Sequence, residues 1–311
     1  MTISDIESPQ VTIVIVTYQC AKYIAANLAM VKRCVDLGIA RCVVVDNGST
    51  DGTAAILAKE AEWADIICTG INNGFGRGCN IGLERVLSRY TLFLNPDAAI
   101  EPDALQILVD FMDGKRQVGV CGPATVLGED RHGQRYQATG KRPSALDIAK
   151  SSLPKVDRAD LYRVIYPGSA PFRTGWICGA VFLVRTELMR RLNGFDPRFF
   201  LYWEETDVCR RIEDLGFENW AVGGALARHV GGASSTDDTT KVHGCIAQHY
   251  FQSRRYYLIK HHGWVAATFA EAFEFGVLVF RAIVDLAMGR PVGRLIPRLQ
   301  CRLFSVPPKP P

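Results

Sequence analysis

Four short clusters carry side chains able to do chemistry. Asp46 closes an apolar run and opens the turn Asp46-Asn47-Gly48-Ser49-Thr50-Asp51-Gly52. A carboxylate there can accept a hydrogen bond from a nucleobase or a ribose, and the same residues also make a good helix-capping turn. Asn95-Pro96-Asp97 closes a second apolar run. Its carboxylate can bind a divalent cation that bridges a diphosphate, or the tripeptide is simply a turn. Tyr202-Trp203-Glu204-Glu205-Thr206-Asp207 sets three acids at a helix start. The helix dipole favours acids there, and it keeps ionised a carboxylate that could act as a general base. Tyr202 and Trp203 could wall the face of an acceptor sugar. His229 precedes Val230-Gly231-Gly232-Ala233-Ser234-Ser235. A neutral imidazole at such a turn can complete a metal site, although a lone His is commonly structural.

The elements that must hold these clusters alternate. Val11 to Val16 and Cys42 to Val45 are continuous β-branched runs, the pattern of buried parallel strands. Ile66 to Thr69 and Tyr90 to Leu94 read as two more strands. Between them lie helical patterns: a stripe of Ile24, Leu28, Val31 and Val35, a start near Thr53, and a helix from about Cys79 to Ser88. Glu101-Pro102-Asp103 opens another helix, with Leu105, Leu108, Val109 and Met112 as its apolar stripe and Gly114 as its stop. This alternation predicts an α/β fold with a mostly parallel sheet flanked by helices. Asp46, Asn73 and Asp97 then fall just beyond strand ends, on the rim where such sheets bind ligands. Residues 128–173 read as a long polar loop with one helix, Leu146 to Leu153. Gly179 to Val184 reads as a buried strand, Glu204 to Leu215 as a helix, and everything after Gly232 as helical.

The chain has 311 residues, 48% hydrophobic and 22% charged. This is ordinary globular composition and excludes disordered, collagen-like and disulfide-scaffold classes. Its ten cysteines form no Cys-x-x-Cys pair, which argues against zinc ribbons and thioredoxin-type sites. They sit singly in apolar runs, and Met1 to Gln10 lacks the apolar core of a signal peptide, so a reducing, cytoplasmic location is expected. A net charge of +4 gives no reason to expect a nucleic-acid partner.

The ordered set Thr17-Tyr18, the Asp46 turn, Asn72-Asn73-Gly74-Phe75-Gly76-Arg77-Gly78-Cys79-Asn80, Asn95-Pro96-Asp97, Gly179-Ala180, Glu204-Glu205-Thr206-Asp207 and His229 resembles family 2 glycosyltransferases. Within them it is most similar to the bacterial rhamnosyltransferase-type subgroup. The resemblance implies a GT-A, Rossmann-like fold, a nucleotide-sugar donor and inversion at the anomeric carbon. It implies donor contacts from Thr17, Tyr18, Asp46, Asn73, Gly76, Asn80, Asn95 and Gly179, and a divalent cation (Mg2+ or Mn2+) at Asp97 and His229. Glu204, Glu205 and Asp207 are the candidate catalytic acids, with Glu205 at the family's general-base position. Two residues depart from the family pattern: Asn95 replaces the first Asp of an Asp-x-Asp pair, and Glu205 replaces an Asp. The donor implied is dTDP-L-rhamnose, with UDP-sugars as the alternative. The acceptor is a glycan or lipid-linked saccharide in cell-surface polysaccharide synthesis.

Three other classes compete. A nucleotidylyltransferase would want a Gly-rich, basic phosphate loop after the first strand, where Thr17-Tyr18-Gln19-Cys20 stands instead. A nicotinamide-dependent oxidoreductase would want Gly-x-Gly-x-x-Gly there. A non-catalytic homologue draws support only from Asn95 and Glu205. The expected organisation is a catalytic domain over 1–245, made of a nucleotide-sugar-binding half (10–125) and an acceptor half (126–245), then a helical basic extension over 246–311. Residues 249–311 hold nine Lys/Arg against three Asp/Glu. Phe269 to Met288 is apolar but carries Glu271, Glu274, Arg281 and Asp285, so it should lie at the inner face of the cytoplasmic membrane rather than cross it; packing on protein is the alternative.

Overall fold

The computed structural model describes residues 9–130, 133–153, 161–229, 242–290, 298–299 and 301–308. Strands β1 (Val11–Thr17), β2 (Ala40–Asp46), β3 (Asp65–Cys68) and β4 (Tyr90–Leu94) alternate with helices α1 (Ala21–Asp36), α2 (Thr53–Glu60) and α3 (Phe75–Leu83). After β4 come β5 (Ala98–Ile100), α4 (Pro102–Asp113), β6 (Val118–Asp130), β7 (Gly133–Tyr136), β8 (Ala138–Gly140), α5 (Ala145–Ser152), β9 (Tyr162–Val164) and β10 (Phe172–Thr174). The chain continues through β11 (Val181–Arg185), α6 (Thr186–Arg191), α7 (Glu204–Asp214), β12 (Glu218–His229) and α8 (Val242–Ala287).

The main sheet has ten strands and runs β10-β12-β6-β11-β4-β1-β2-β3, with β5 added on β12 and β7 on β6. The stretch β4-β1-β2-β3 is parallel throughout, as the alternation predicts. Beyond β4 the sheet is mixed: β11 is antiparallel to both β4 and β6, while β12 is parallel to β6. The expectation of a mostly parallel sheet is corrected in this half. There the strands no longer alternate with crossover helices, which are what enforce parallel pairing.

The central strands β1, β2 and β4 are buried on both faces and largely apolar, and alternate residues serve different layers. Ile13, Ile15, Cys42, Val44, Leu92 and Leu94 meet Ile24, Leu28 and Val31 of α1 and Leu105, Leu108 and Met112 of α4. Val14, Val16, Val43, Val45 and Phe93 meet Cys79 and Leu83 of α3 and Val208 and Ile212 of α7. A third, smaller core joins Ile148 of α5 to Tyr257, Leu258, Ala267 and Ala270 of α8.

Several sequence expectations are corrected. Residues 128–173 are not one long loop: they contain the end of β6, then β7, β8, β9 and β10, besides the predicted helix. Strand β12 escapes the pattern altogether, because Glu-Asn-Trp-Ala-Val-Gly-Gly-Ala-Leu-Ala-Arg-His has neither a β-branched run nor clean alternation. The helix expected over 79–88 begins four residues earlier, at Phe75, and ends at Leu83. Its glycines bring it onto the sheet: a Cβ at Gly82 would stand 2.5 Å from Val14 Cγ1, and one at Gly78 would stand 2.7 Å from Val16 Cγ1. The helical reading after Gly232 matches α8 over Val242–Ala287 and is corrected beyond it, where residues 288–290 and 301–308 are turns and irregular. Gly263, at φ 85° and ψ 162°, splits α8 into two arms.

Candidate active site

Parallel strands end on one rim, so Thr17 of β1 and Asp46 of β2 stand side by side in register. Thr17 Oγ1 donates to Asp46 Oδ1 at 2.9 Å, and Ser49 donates to the same carboxylate from its hydroxyl at 2.6 Å and from its backbone N–H at 3.0 Å. The turn reading therefore holds: the carboxylate stands at the end of β2 and organises its own turn. Sequence reasoning missed the next layer. Gln19, in the left-handed region at φ 51°, receives the Thr50 N–H at 2.7 Å on Oε1 and gives its own N–H to Ser49 Oγ at 3.0 Å. Asp51 accepts from the Ala21 N–H at 2.9 Å. Burial pushes the Asp51 carboxyl up, but hydrogen bonds from Thr53 and Ala21 prevail and hold it below the usual carboxylate range. The first two loops of the rim are thus tied together, with Tyr18 exposed beside them.

The second cluster forms where β5 pairs antiparallel with β12, setting His229 opposite Ala98. His229 Nε2 stands 3.1 Å from Asp97 Oδ1 and 3.4 Å from Asn95 Nδ2. The Asn27 amide of α1 holds this loop from behind, donating to the Asn95 carbonyl at 3.1 Å and the Ala98 carbonyl at 2.7 Å. Nothing in the spacing of Asn27 signalled that role. Asn95, Asp97 and His229 are brought together as the motif implied. Among the described residues no group of three or more His, Cys, Asp or Glu side chains gathers in a way that could hold a metal. The Gly-Gly turn after His229 lies outside the described residues.

The third cluster opens α7. Tyr202 and Trp203 are consecutive bulky residues in the left-handed region, at φ 68° and 72°. Each such residue costs of order 1–3 kcal/mol and persists only where its surroundings fix it. Here the Ser253 hydroxyl of α8 donates to the Leu201 carbonyl at 3.0 Å, and the Trp203 ring packs on Tyr257 of α8 at 5.1 Å between centroids. The bend aims the first two acids of α7 differently. Glu204 is buried against α3, 3.6 Å from where a Cβ of Gly76 would lie. Glu205 lies beside Gly179, whose Cβ would stand 3.5 Å from that of Glu205, and its carboxyl lines a cavity of about 180 Å³. Burial, then the neighbouring Glu205, push the Glu204 carboxyl well above the ordinary range. Burial pushes Glu205 up to about 7, against backbone hydrogen bonds that lower it. Both carboxyls are thus harder to ionise than an ordinary glutamate, and of the two only Glu205 lines the cavity. An acid near 7 suits a base that must first accept and then release a proton.

Several predicted residues are not brought to this cavity. Asp207 is fully buried on the other side of α7, where it is bound by Arg211 at 2.7 Å, Lys260 at 2.8 Å and His261 at 2.7 Å. It anchors the helix, and two residues along a helix turn a side chain about 200° away, so it cannot share the Glu205 face. Asn80 has both amide ends occupied by Phe195, accepting from its N–H at 2.8 Å and donating to its carbonyl at 2.8 Å; it is a clamp between α3 and the 194–200 turn rather than a free donor contact. Gly76 is a packing glycine against Phe195 and Glu204. The Asn73 amide reaches back to the Ile71 carbonyl at 3.2 Å. Sequence reasoning missed Tyr162, Trp176 and Tyr250, which line the cavity with Tyr202 and Trp203. Tyr162 comes from the segment read as loop and Tyr250 from the one read as extension, while Trp176 lies just before the strand read over Gly179 to Val184.

Comparison with known proteins agrees with this fold. The family model described as "Glycosyl transferase family 2" matches residues 12–177. An N-acetylglucosaminyl-diphospho-decaprenol L-rhamnosyltransferase of Mycobacterium tuberculosis is 25% identical over 270 residues, 81% of this chain and 85% of that protein. The dTDP-rhamnosyl transferase RfbF of Shigella flexneri is 24% identical over 221 residues, 70% of this chain and 68% of that protein. Among solved structures, the mannosyltransferase PcManGT from Pyrobaculum calidifontis, in complex with GDP-Man and Mn2+, superposes with a TM-score of 0.57 at 17% identity, covering 91% of this chain and 80% of that one.

Proposed function

The chain belongs to glycosyl transferase family 2, and from that premise we propose that it transfers L-rhamnose from dTDP-L-rhamnose to a hydroxyl of a glycan or lipid-linked saccharide, with inversion, in cell-surface polysaccharide synthesis. The observation that carries the reading is Glu205, a carboxyl pushed up to about 7 that opens into a cavity at the start of a helix. Glu205 takes the proton of an acceptor hydroxyl as that oxygen attacks the anomeric carbon. The bond from that carbon to the diphosphate oxygen breaks on the opposite face, and the nucleoside diphosphate departs with the electron pair. A single displacement inverts the centre and needs no covalent intermediate. The names of the two rhamnosyltransferase relatives support the choice of sugar, and the Shigella relative's name supports the dTDP carrier.

Asp97 and His229 would offer a divalent cation one carboxylate oxygen and one imidazole nitrogen, a mixed set that suits Mn2+ better than Mg2+, with phosphate and water as the remaining ligands. When bound, the cation stabilises negative charge on the leaving diphosphate. Asn95, a neutral neighbour, contributes an amide in place of a second carboxylate. Thr17, Tyr18 and Asp46 serve the nucleotide on the adjoining rim. We also assign the enzyme to the inner face of the cytoplasmic membrane, where a lipid-linked acceptor would lie. Among the described residues no helix is long and apolar enough to cross a membrane.

The deciding assay supplies a panel of nucleotide sugars with a lipid extract as acceptor, and identifies the released nucleotide and the product by mass spectrometry. Release of dTDP with a rhamnosylated product is expected. Turnover of a UDP-sugar instead would move the donor assignment, and release from no nucleotide sugar would overturn the reading.

A further inference from the structure

The cavity beside Glu205 is built by three segments far apart in sequence. Tyr162 of β9 and Trp176 form one wall, edge to face with ring centroids 6.5 Å apart. The strained pair Tyr202 and Trp203 forms the opposite wall together with Tyr250 of α8, whose ring lies 5.9 Å from Tyr202 and 6.0 Å from Trp203. Its volume of about 180 Å³ is room for on the order of a dozen waters, far more than a packing defect. Aromatic walls with two carboxyl residues, Glu205 and Asp147, match an amphipathic ring: C–H groups on the flat faces, hydroxyls on the edge.

The charges at the rim narrow the class. Lys141 is bound by Asp147 at 2.8 Å. Arg254 is spanned by both oxygens of Glu274, one of them at 2.8 Å. Among the described residues both cations lining the cavity are therefore already paired, Lys141 with a carboxylate that lines the cavity too, whereas Glu205 carries no such partner ion. Among the described residues nothing there rewards an anion, and Glu205 repels one.

Resting on the glycosyl-transfer reading above, we propose that this cavity is the acceptor subsite, that it takes one uncharged pyranose ring between the two aromatic walls, and that Tyr162 and Tyr250 set its specificity. The C-terminal helix is then part of the acceptor site, since it supplies one wall and props the bend that supplies the other. A uronic acid is excluded at this position, although the diphosphate of a lipid-linked acceptor can lie outside.

The test is saturation-transfer NMR on the full-length protein with methyl β-D-glucopyranoside and, separately, methyl β-D-glucuronide. The glucopyranoside should receive magnetisation from aromatic protons through its axial C–H groups, and the glucuronide should not. Tyr162 is 47% exposed, so Tyr162→Ala removes a wall without removing core. It should abolish the transfer and raise the acceptor KM about 10-fold, with the donor KM moving by less than about 2-fold. Tyr250→Phe, which keeps the ring, should bind as the parent does, and Tyr250→Leu should not. Equal transfer to the glucuronide, or undiminished transfer in Tyr162→Ala, would overturn the proposal. Because the binding measurement needs no nucleotide sugar, it stands apart from failure of the rhamnosyl-transfer assay.

Discussion

Two adjacent glutamates with different surroundings carry the residue-scale argument. Glu205→Gln keeps shape and removes the proton acceptor, so turnover should fall by at least about 10²-fold, the low end for loss of a general base. Glu204→Gln should cost far less, because Glu204 is buried against α3 and does not line the cavity. An active Glu205→Gln beside an inactive Glu204→Gln would move the base by one residue. The pH profile follows from sign. The Glu205 carboxyl is raised, so its ionised form is scarce well below pH 7, and kcat/KM should climb tenfold per pH unit there and level off above about 7. Asp97→Ala should lower turnover by at least about 10²-fold and weaken any activation by added Mn2+ or Mg2+; full activity in chelator would refute a catalytic cation. The acids and the histidine were legible because each lies at a strand end or a helix start, where local pattern suffices. Their supports were not: Asn27 reaches loop residues 68 and 71 positions away, and Asn80 is spent on a residue 115 positions away. Such partnerships exist only after folding.

At the scale of elements, the helix bearing Glu205 is fixed from its far side. Asp207 is wholly buried among Arg211, Lys260 and His261, and Lys260 also reaches Asp196 at 2.7 Å, so one ion cluster ties α7, the 194–200 turn and α8. Burial alone would raise the Asp207 carboxyl, but His261, Arg211 and Lys260 hold it below its ordinary value. A depressed carboxylate contributes stability above its unfolded pKa, and that contribution is lost as pH falls through the folded value. Asp207→Asn strands buried cations and should cost about 3 kcal/mol in urea unfolding at pH 7. The difference from the parent should shrink below about pH 4, where the parent's own carboxylate begins to protonate. A variant as stable as the parent at pH 7 would mean that the cluster contributes nothing. The four parallel strands and their helices were readable, since both-face burial writes itself as unbroken β-branched runs. The mixed half was not. Strand β12 carries Gly223, whose Cβ would meet Ser169 Oγ at 2.3 Å, and such a residue is chosen for a neighbour 54 positions away rather than for strand propensity.

For the whole molecule, the question is what the second arm of α8 faces. Taken as sequence, Glu271 and Glu274 count against burial in lipid. In the fold they point inward: Glu271 meets Arg255 at 2.7 Å and is also bound by Arg298, and Glu274 is bound by Arg254. The packing alternative therefore holds for the inner face. The outer face is left with Val265, Phe269, Phe280, Ile283 and Leu286, between 59% and 75% exposed, with Trp264 at the bend and Arg290 beyond the end. A row of large apolar groups on a helix that cannot span, in a region holding nine Lys/Arg against three Asp/Glu, suits the interface of an anionic bilayer. Attraction of this kind has an apolar part, indifferent to salt, and a Coulombic part that salt screens. The intact protein should therefore float with phosphatidylglycerol-rich vesicles at low ionic strength and bind more weakly, but measurably, in about 0.5 M salt. Phe280→Glu combined with Ile283→Glu places charge on the buried side of the interface without touching the inner ion pairs, and should release the protein at both salt levels. An intact chain that ignores such vesicles at low salt, and sediments as a dimer that this double substitution dissolves, would give the outer face to a second copy instead.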